Sequence, residues 1–240
     1  MRIVDYLDKG ASLGPDRPCL TTDGQTLSYR QVQELTHFVS AALAGLGVAP
    51  GEKVAVLSGN DPVAFACVLG LSRAGAVWCP INPRNEAAEN RELLALFDCS
   101  VVVFQAAYAE LVARIREDLP LVTTWVCLDG TPDGALGWDE FLAYGDRVSG
   151  PPADAAAVVD RPAVDDLAAV VGTGGTTGRP KGVMLSGRNL ETMTALTLMS
   201  YPFRGRPVYL ALAPLTHRTC PAERPPAGSA PARRRLRRSW

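Results

Sequence analysis

Lysine and histidine are scarce in this chain. Of its 24 basic residues only three are lysines, Lys9, Lys53 and Lys181, and there are two histidines, His37 and His217. The six cysteines form no Cys-x-x-Cys pair, so the sequence shows no zinc-binding pattern. We therefore expect reduced, mostly buried thiols in a cytoplasmic protein. Against this arginine-rich background, a lysine within a glycine-rich stretch stands out.

Long apolar runs are also missing. The most apolar stretch, residues 64–81, is interrupted by Arg73, and the N-terminus has no apolar run after its first charge. We expect neither a transmembrane segment nor a secretory signal. The net charge is −1, but residues 218–240 contain seven arginines and one acidic residue, so residues 1–217 are acidic. An acidic body argues against a nucleic-acid-binding surface.

Helix and strand signals alternate along the chain. Ser28 and Gln31 form a capping box before an amphipathic helix, and Asp61 precedes a helix with Pro62 in its first turn. Apolar segments such as KVAVL, AVWCPI, SVVVF, LVTTWVCL and LAAVVGT predict strands. This alternation predicts an α/β fold, with a mostly parallel sheet and flanking helices. After the last of these strands we expect a loop, a helix over about 188–200, and a strand in residues 207–214.

The segment VVGTGGTTGRPKGV, residues 170–183, carries the chemistry. Glycines let several backbone N–H groups converge on one anion, threonines add hydroxyl groups, and lysine adds a compact charge. A strand, a loop of this kind and a helix are typical of phosphate binding at the carboxyl end of a parallel sheet. The Walker and dinucleotide fingerprints are both excluded, since the chain has no Gly-Lys pair and Thr177 stands where a third glycine is needed. The alternative is a glycine-rich turn without a ligand, which leaves the threonines and the Pro-Lys-Gly unexplained.

The sequence TGGTTGRPKGV, residues 173–183, resembles the signature Thr-Ser-Gly-Thr-Thr-Gly-x-Pro-Lys-Gly-Val of the adenylate-forming enzymes, with Gly174 in place of serine. Residues 72–85, 185–190 and 212–217 resemble further landmarks of that superfamily. The opening segments are similar to those of acyl-CoA synthetases more than to peptide-synthetase domains. The resemblance implies that residues 1–217 form an incomplete N-terminal AMP-binding domain.

In that family a carboxylate attacks the α-phosphorus of ATP, and the thiol of coenzyme A then takes the acyl group. The resemblance implies ATP, Mg²⁺ and coenzyme A as cofactors and a small-molecule carboxylate as partner, with a fatty acid favoured and an aryl acid left open. It places Lys181 and Thr176 as catalytic residues, with His217 beside the acyl substrate, and gives no metal ligand among the site residues. The implied phosphate-binding residues are Thr173, Gly174, Gly175, Thr176, Thr177, Gly178 and Lys181. We expect His37 to be a surface residue of its helix.

Residues 218–240 differ from everything before them. They are mostly Arg, Pro and Ala, without periodicity, and this composition predicts a disordered tail. An Arg-rich, Lys-poor chain implies a GC-rich gene, so the abrupt change after His217 indicates an out-of-frame tail. Because the family binds adenine and ribose through segments not seen here, we expect this fragment alone to be inactive. A non-catalytic nucleotide- or pyrophosphate-binding fragment, an inert pseudogene product and a nucleic-acid-binding tail stay open, and the oligomeric state is unknown.

Overall fold

The N-terminal quarter of the chain forms two helices around a small hairpin. These elements are α1 (Ile3–Leu13), β1 (Pro18–Thr22), β2 (Gln25–Ser28) and α2 (Tyr29–Gly45), and β1 pairs with β2 antiparallel. The capping box of α2 is confirmed: the Gln31 amide donates to Ser28 Oγ at 3.2 Å, and the Ser28 amide donates to Gln31 Oε1 at 2.8 Å. The structure is a computed structural model, and it describes residues 1–22, 24–147, 165–173, 180–200 and 207–211.

The main sheet contains seven strands in the described residues. They are β3 (Lys53–Leu57), β4 (Val77–Ile81), β5 (Cys99–Phe104), β6 (Thr124–Cys127), β7 (Leu136–Gly137), β8 (Leu167–Thr173) and β9 (Lys181–Ser186). Their spatial order is β7-β6-β5-β3-β4-β8-β9. Every neighbouring pair is parallel except β8 and β9, which are antiparallel. The predicted α/β fold with a mostly parallel sheet is therefore confirmed.

Helices cover both faces of this sheet. They are α3 (Pro62–Ala74), α4 (Ala87–Leu96), α5 (Ala109–Ile115), α6 (Trp138–Ala143) and α7 (Gly187–Ser200), with 3-10 turns at Ala106–Tyr108, Arg116–Asp118 and Tyr144–Arg147. The predicted cap of α3 is present, since the Ala64 amide donates to Asp61 Oδ1 at 2.9 Å. Helices α4 and α5 pack on one face, whereas α2, α3 and α6 pack on the other.

The strand β3 shows why the central strands read as continuous apolar runs. Ala55 and Leu57 point into the core beneath α4 and α5, and Val54 and Val56 point into the core beneath α2 and α3. All four are at most 3% exposed. A parallel strand covered on both faces needs apolar side chains at consecutive positions, which is the pattern that the sequence shows.

Arg73 interrupts the apolar stretch, and its guanidinium group forms hydrogen bonds with residues of α1 and α2. Its Nη2 donates to Asp8 Oδ1 at 2.6 Å, its Nη1 donates to Asp8 Oδ2 at 3.1 Å, and its Nε donates to Thr36 Oγ1 at 3.0 Å. Asp8 also accepts a hydrogen bond from Gln33 Nε2 at 2.8 Å. This network ties three helices together at the end of α3, and it lies away from the glycine-rich segment.

Two predictions about the C-terminal part differ from the structure. The glycine-rich segment is followed by the strand β9 and only then by the helix α7, because residues 181–186 pair antiparallel with β8. Residues 207–211, predicted as the start of a strand, are not in a strand and pair with none of the described strands. The rest of that predicted strand, residues 212–214, and the predicted tail, residues 218–240, lie outside the described residues.

Candidate phosphate-binding site

The glycine-rich segment begins at the carboxyl edge of the parallel strands. Strand β8 runs parallel to β4, with Ala169 opposite Trp78, so Thr173 at the end of β8 lies on the same edge as the ends of β3, β4 and β5. Ligands of open parallel sheets bind at this edge. Strand β8 therefore ends at the edge where we expected the glycine-rich segment to begin.

The two ends of the segment are held side by side. Thr173 and Lys181 are register partners in the β8–β9 pair, and Thr173 Oγ1 donates to the Lys181 carbonyl oxygen at 3.3 Å. Neighbouring strands lie about 5 Å apart, so the two strand ends that flank the glycine-rich segment are adjacent. The Lys181 side chain is exposed at this point. The structure thereby brings together Thr173 and Lys181 at one end of a hairpin.

The remaining predicted site residues are Gly174, Gly175, Thr176, Thr177, Gly178 and His217. They lie outside the described residues. Their roles remain predictions, and the described part of the site consists of the two strand ends that flank the loop.

A pair of glycines packs the hairpin against α4. Gly172 and Gly182 are register partners, and a Cβ added to Gly182 would lie 2.8 Å from Phe97 Cε1 and 2.8 Å from Val170 Cγ1. A Cβ added to Gly172 would lie 3.0 Å from Leu93 Cδ2. Because Phe97, at the end of α4, and Val170 of β8 occupy the space of a side chain at Gly182, this glycine has a packing role that the phosphate-loop interpretation did not assign.

Polar side chains also line the carboxyl edge at the ends of β3 and β5. Gln105, directly after β5, accepts hydrogen bonds at Oε1 from Ser58 Oγ at 2.8 Å and from the Gly59 amide at 2.9 Å. Asn60 Nδ2 donates to the Ala211 carbonyl oxygen at 3.1 Å, which places residues 207–211 at the end of β3. Sequence reasoning missed these residues, although each polar residue after a predicted parallel strand could have been assigned to this edge.

Asn90 of α4 is a further polar residue near this edge. It is fully buried, and its Nδ2 donates to the Asn82 carbonyl oxygen at 3.0 Å just after β4. Its Oδ1 has no hydrogen-bond partner among the described residues. Buried acceptors are normally paired, so this oxygen is an exception in the described structure.

Two of the described cysteines, Cys19 and Cys67, have thiols with a raised pKa. All five, Cys19, Cys67, Cys79, Cys99 and Cys127, are free, as predicted for reduced thiols. Burial raises the pKa of Cys19 to about 11 and also raises the pKa of Cys67. A reactive cysteine needs a lowered pKa, so these two thiols are structural.

Within the described ranges, no cluster of three or more His, Cys, Asp or Glu side chains is placed to hold a metal ion. In those same ranges no helix is both long and apolar enough to cross a membrane. A cavity of about 200 Å³ lies at the amino ends of β4 and β8, where its lining includes Arg2, Trp78 and Leu190. It is at the opposite edge of the sheet from Thr173 and Lys181, so we do not assign it to phosphate binding.

Comparison with known proteins identifies the family. The model of the AMP-binding enzyme family matches residues 7–221. The chain is 32% identical over 187 residues to indoleacetate–CoA ligase of Aromatoleum aromaticum, covering 78% of this chain and 35% of that enzyme. The chain belongs to the AMP-binding enzyme family, as the resemblance of residues 173–183 indicated.

Solved structures agree with the fold. The N-terminal domain of FACL13 from Mycobacterium tuberculosis superposes with a TM-score of 0.67 at 27% identity, covering 85% of this chain and 49% of that one. The anthranilate–CoA ligase AuaEII, in complex with anthranoyl-AMP, superposes with a TM-score of 0.72 at 24% identity, covering 82% and 36%. The chain therefore spans about a third of the curated relatives it matches and about half of one isolated N-terminal domain.

Proposed function

We propose that this chain supplies the triphosphate-binding part of an ATP-dependent carboxylate–CoA ligase. In the reaction, a carboxylate oxygen attacks the α-phosphorus of ATP, forming an acyl-adenylate and releasing pyrophosphate. The thiol of coenzyme A then attacks the acyl carbon, forming the thioester and releasing AMP. Membership in the AMP-binding enzyme family and the CoA ligases among the relatives support this proposal. The free cysteines fit the cytoplasmic location that we propose for it.

The observation that carries the proposal is the pairing of Thr173 with Lys181 at the carboxyl edge of the sheet. It gives the glycine-rich segment a fixed base, with an exposed ammonium group beside it. We propose that the backbone and hydroxyl groups of residues 173–178 bind the phosphates. We propose that the ammonium group of Lys181 stabilises the negative charge that develops on the leaving pyrophosphate. Thr176 completes the catalytic pair. We propose that a threonine hydroxyl of the segment would reach the Mg²⁺ of the nucleotide, which would neutralise charge on the phosphates.

We place the acyl substrate near His217 and retain a fatty acid as the proposed carboxylate. The relatives act on varied acids by name, including indoleacetate, 4-coumarate and 3-oxocholest-4-en-26-oate. An aryl acid is therefore the alternative substrate. The hydrogen bond from Asn60 to Ala211 supports the placement, because it holds the segment that leads toward His217 at the carboxyl edge.

For the 240-residue chain alone we propose phosphate binding with little or no turnover. In the family, adenine and ribose are bound by segments beyond those matched here, and catalysis requires that the α-phosphorus be positioned in the transition state. The second candidate function is a non-catalytic nucleotide- or pyrophosphate-binding fragment, which would also bind phosphates. An inert product binds neither ligand.

The test is a titration of pyrophosphate and of Mg-ATP into the chain, with binding measured by calorimetry and by ³¹P NMR. We expect Lys181→Ala to weaken pyrophosphate binding between about tenfold and a hundredfold, which is the effect of one charge-assisted hydrogen bond. Lys9→Ala, which removes an exposed lysine on α1, is the matched control and should change nothing. Equal affinities for the chain and the Lys181 variant would refute the assignment.

Exchange of labelled pyrophosphate into ATP, with fatty and aryl acids offered in turn, separates the remaining possibilities. We expect no exchange from the chain alone. When the chain is part of a complete ligase, the acid that supports pyrophosphate exchange is identified as the substrate. If that complete protein bound phosphates without any exchange, the non-catalytic fragment would be the better description.

A further inference from the structure

The cavity at the amino ends of β4 and β8 has no part in the chemistry proposed above. Its volume is about 200 Å³, and its walls come from α1, α3, α7 and the two strands. Most of the described wall residues are apolar, among them Val68, Ala168 and Leu190. An apolar cavity of about 150 Å³ binds benzene, so this cavity is large enough for a molecule with one ring and a small substituent.

Trp78 gives one wall of this cavity an unusual hydrogen-bond donor. Its indole Nε1 is buried and has no hydrogen-bond partner in the described structure. Nearly all buried N–H groups in proteins are paired, and the indole nitrogen can only donate. A molecule in the cavity that satisfies this group must therefore carry a hydrogen-bond acceptor.

Two further side chains of the lining add polar hydrogens. Ser72 lies one helical turn after Val68 on α3, and a serine hydroxyl both donates and accepts. Arg2 donates from Nε and Nη2 to Asp5 Oδ1 at 3.3 and 3.2 Å, and from Nη1 to the Arg73 carbonyl oxygen at 3.4 Å. These described partners use three of the five N–H groups of an arginine. The polar part of the lining is thus rich in donors.

The charges around the cavity disfavour an anionic ligand. Arg2 is paired with Asp5 at 3.2 Å, and the amino group of Met1 is paired with Glu191 at 2.7 Å. Asp166 adds a further carboxylate to the lining. A ligand carboxylate would have to compete with these carboxylates for the two cations, whereas a neutral oxygen would not.

We propose that this cavity binds an uncharged molecule with one apolar ring and a carbonyl or hydroxyl oxygen that accepts a hydrogen bond from Trp78 Nε1. The site is separate from the proposed phosphate site, because β8 has its first residues at the cavity and its last residue, Thr173, at the opposite edge of the sheet. Seven residues of a strand span about 20 Å, so one small molecule cannot contact both. The inference does not depend on the nucleotide chemistry proposed above.

The experiment is an NMR titration of the ¹⁵N-labelled chain with three compounds of similar size. Acetophenone has a ring and a carbonyl oxygen, ethylbenzene lacks the oxygen, and benzoate carries a negative charge. We expect acetophenone to shift the indole N–H resonance of Trp78 with a Kd of roughly 1 mM or tighter. Ethylbenzene and benzoate should bind at least about tenfold more weakly, because the first loses the hydrogen bond and the second meets the carboxylates.

Three variants test the residues. Trp78→Phe keeps an aromatic ring but removes the indole N–H, so it assigns the resonance and should abolish the preference for acetophenone over ethylbenzene, as followed by backbone amides of the lining. Trp138→Phe changes another half-buried tryptophan, which does not line the cavity, and should leave the preference unchanged. Ala168→Leu fills part of the cavity and should weaken acetophenone binding at least about tenfold. Circular dichroism shows whether each variant is folded.

The titration of the unmodified chain decides the proposal even if a variant fails to fold. If none of the three compounds shifts the indole resonance of Trp78, the cavity holds only water and the proposal is wrong. Ethylbenzene or benzoate binding as tightly as acetophenone would also overturn it, as would shifts confined to residues outside the cavity. Acetophenone binding that is unchanged in Lys181→Ala supports a separate site, and a failure of the chain to bind pyrophosphate counts only against the proposed function.

Discussion

Strands β3, β4 and β5 and the hairpin β8–β9 belong to one sheet, but they are covered very differently. In the first group nearly every side chain is buried between α2, α3 and α6 on one face and α4 and α5 on the other. In β9, Lys181, Gly182 and Met184 are exposed, and α7 above it buries only Leu190. The core thus supplies stability, and the exposed hairpin carries Lys181, the residue that we propose binds phosphate. Substitutions in the two regions should therefore affect different measurements.

The largest expected effect is in the core. Phe104 is 1% exposed and meets Trp125 edge to face, with ring centroids 6.5 Å apart. Phe104→Ala should lower the free energy of unfolding by about 3–5 kcal/mol, because it removes contacts and leaves a cavity. Urea unfolding followed by circular dichroism measures this change. A loss below about 1 kcal/mol would mean that the core is less tightly packed than described.

Within the hairpin, two adjacent residues should separate stability from binding. Gly182→Ala places a methyl group against Phe97 and Val170, so it should cost about 1–3 kcal/mol through overpacking. Lys181→Ala at the exposed neighbour should leave the unfolding free energy nearly unchanged and lower pyrophosphate affinity. Shortening the obstructing ring, in Gly182→Ala/Phe97→Leu, should recover part of the lost stability. If the double variant is no more stable than Gly182→Ala, the contact with Phe97 is not the cause of the lost stability.

The network around Arg73 gives a smaller effect that depends on pH. Burial would raise the pKa of Asp8, but hydrogen bonds from Arg73 and Gln33, with the charge of Arg73, outweigh it and hold the pKa below its ordinary value of 3.8. The unfolded chain therefore takes up the proton first as the pH falls. The stabilisation is present above pH 3.8 and is lost as the pH falls through the lower folded value.

We expect Asp8→Asn to cost about 1 kcal/mol at pH 7 and progressively less below pH 3.8. Urea unfolding of both proteins across this pH range is the measurement. His37 lies nearby, and its pKa is lowered mainly by partial burial and also by the charge of Arg73. The variant His37→Gln is the control that removes the titration of His37 from the measurement. A difference between wild type and Asp8→Asn that is constant with pH would contradict the ion pair.

The smallest effect is expected on the outer face of α7. Leu196 is 57% exposed, so Leu196→Ala should change the unfolding free energy by no more than about 0.5 kcal/mol. Leu71→Ala, in the 1% exposed core position of α3, is the matched comparison and should cost about 2–5 kcal/mol. Similar losses at the two positions would show that α7 is buried in solution by something outside the described residues.

The parts of the fold that were predictable are those with strong local signals. The buried runs of β3, β4 and β5 and the caps at Ser28 and Asp61 identify their elements without any neighbour. Helix α1 was missed, although Val4, Leu7 and Ala11 follow the helical period and are buried. Its glycine and flanking prolines obscured that pattern.

The strand β9 was missed for a different reason. Residues 181–186 contain glycine and polar residues, and their strand conformation depends on pairing with β8. Residues 207–211 show the reverse case, since they have strand-forming side chains but no partner among the described strands. Strand propensity depends strongly on such neighbours, which one sequence does not show.

The site was predictable in its chemistry more than in its geometry. The sequence of residues 173–183 predicted phosphate binding and resembled the adenylate-forming enzymes. The match to the AMP-binding enzyme family agrees with that class of enzyme. Spacing alone did not show that Thr173 and Lys181 are opposite each other, because a loop before a helix and a hairpin have the same sequence spacing. The packing of Gly182 on Phe97 was equally hidden, since it joins residues from distant parts of the chain.

The position of β8 in the sheet has a consequence for biosynthesis. Strand β8 inserts next to β4, whose residues leave the ribosome long before it, and the strands between them in sequence lie on the other side of β3. Domains fold from the N-terminus as translation proceeds, and distant pairings form late. The nascent protein should thus build its helix-covered centre first and acquire the β8–β9 hairpin last, so a pause in translation before residue 186 should leave a folded intermediate that lacks the proposed phosphate-binding strand ends.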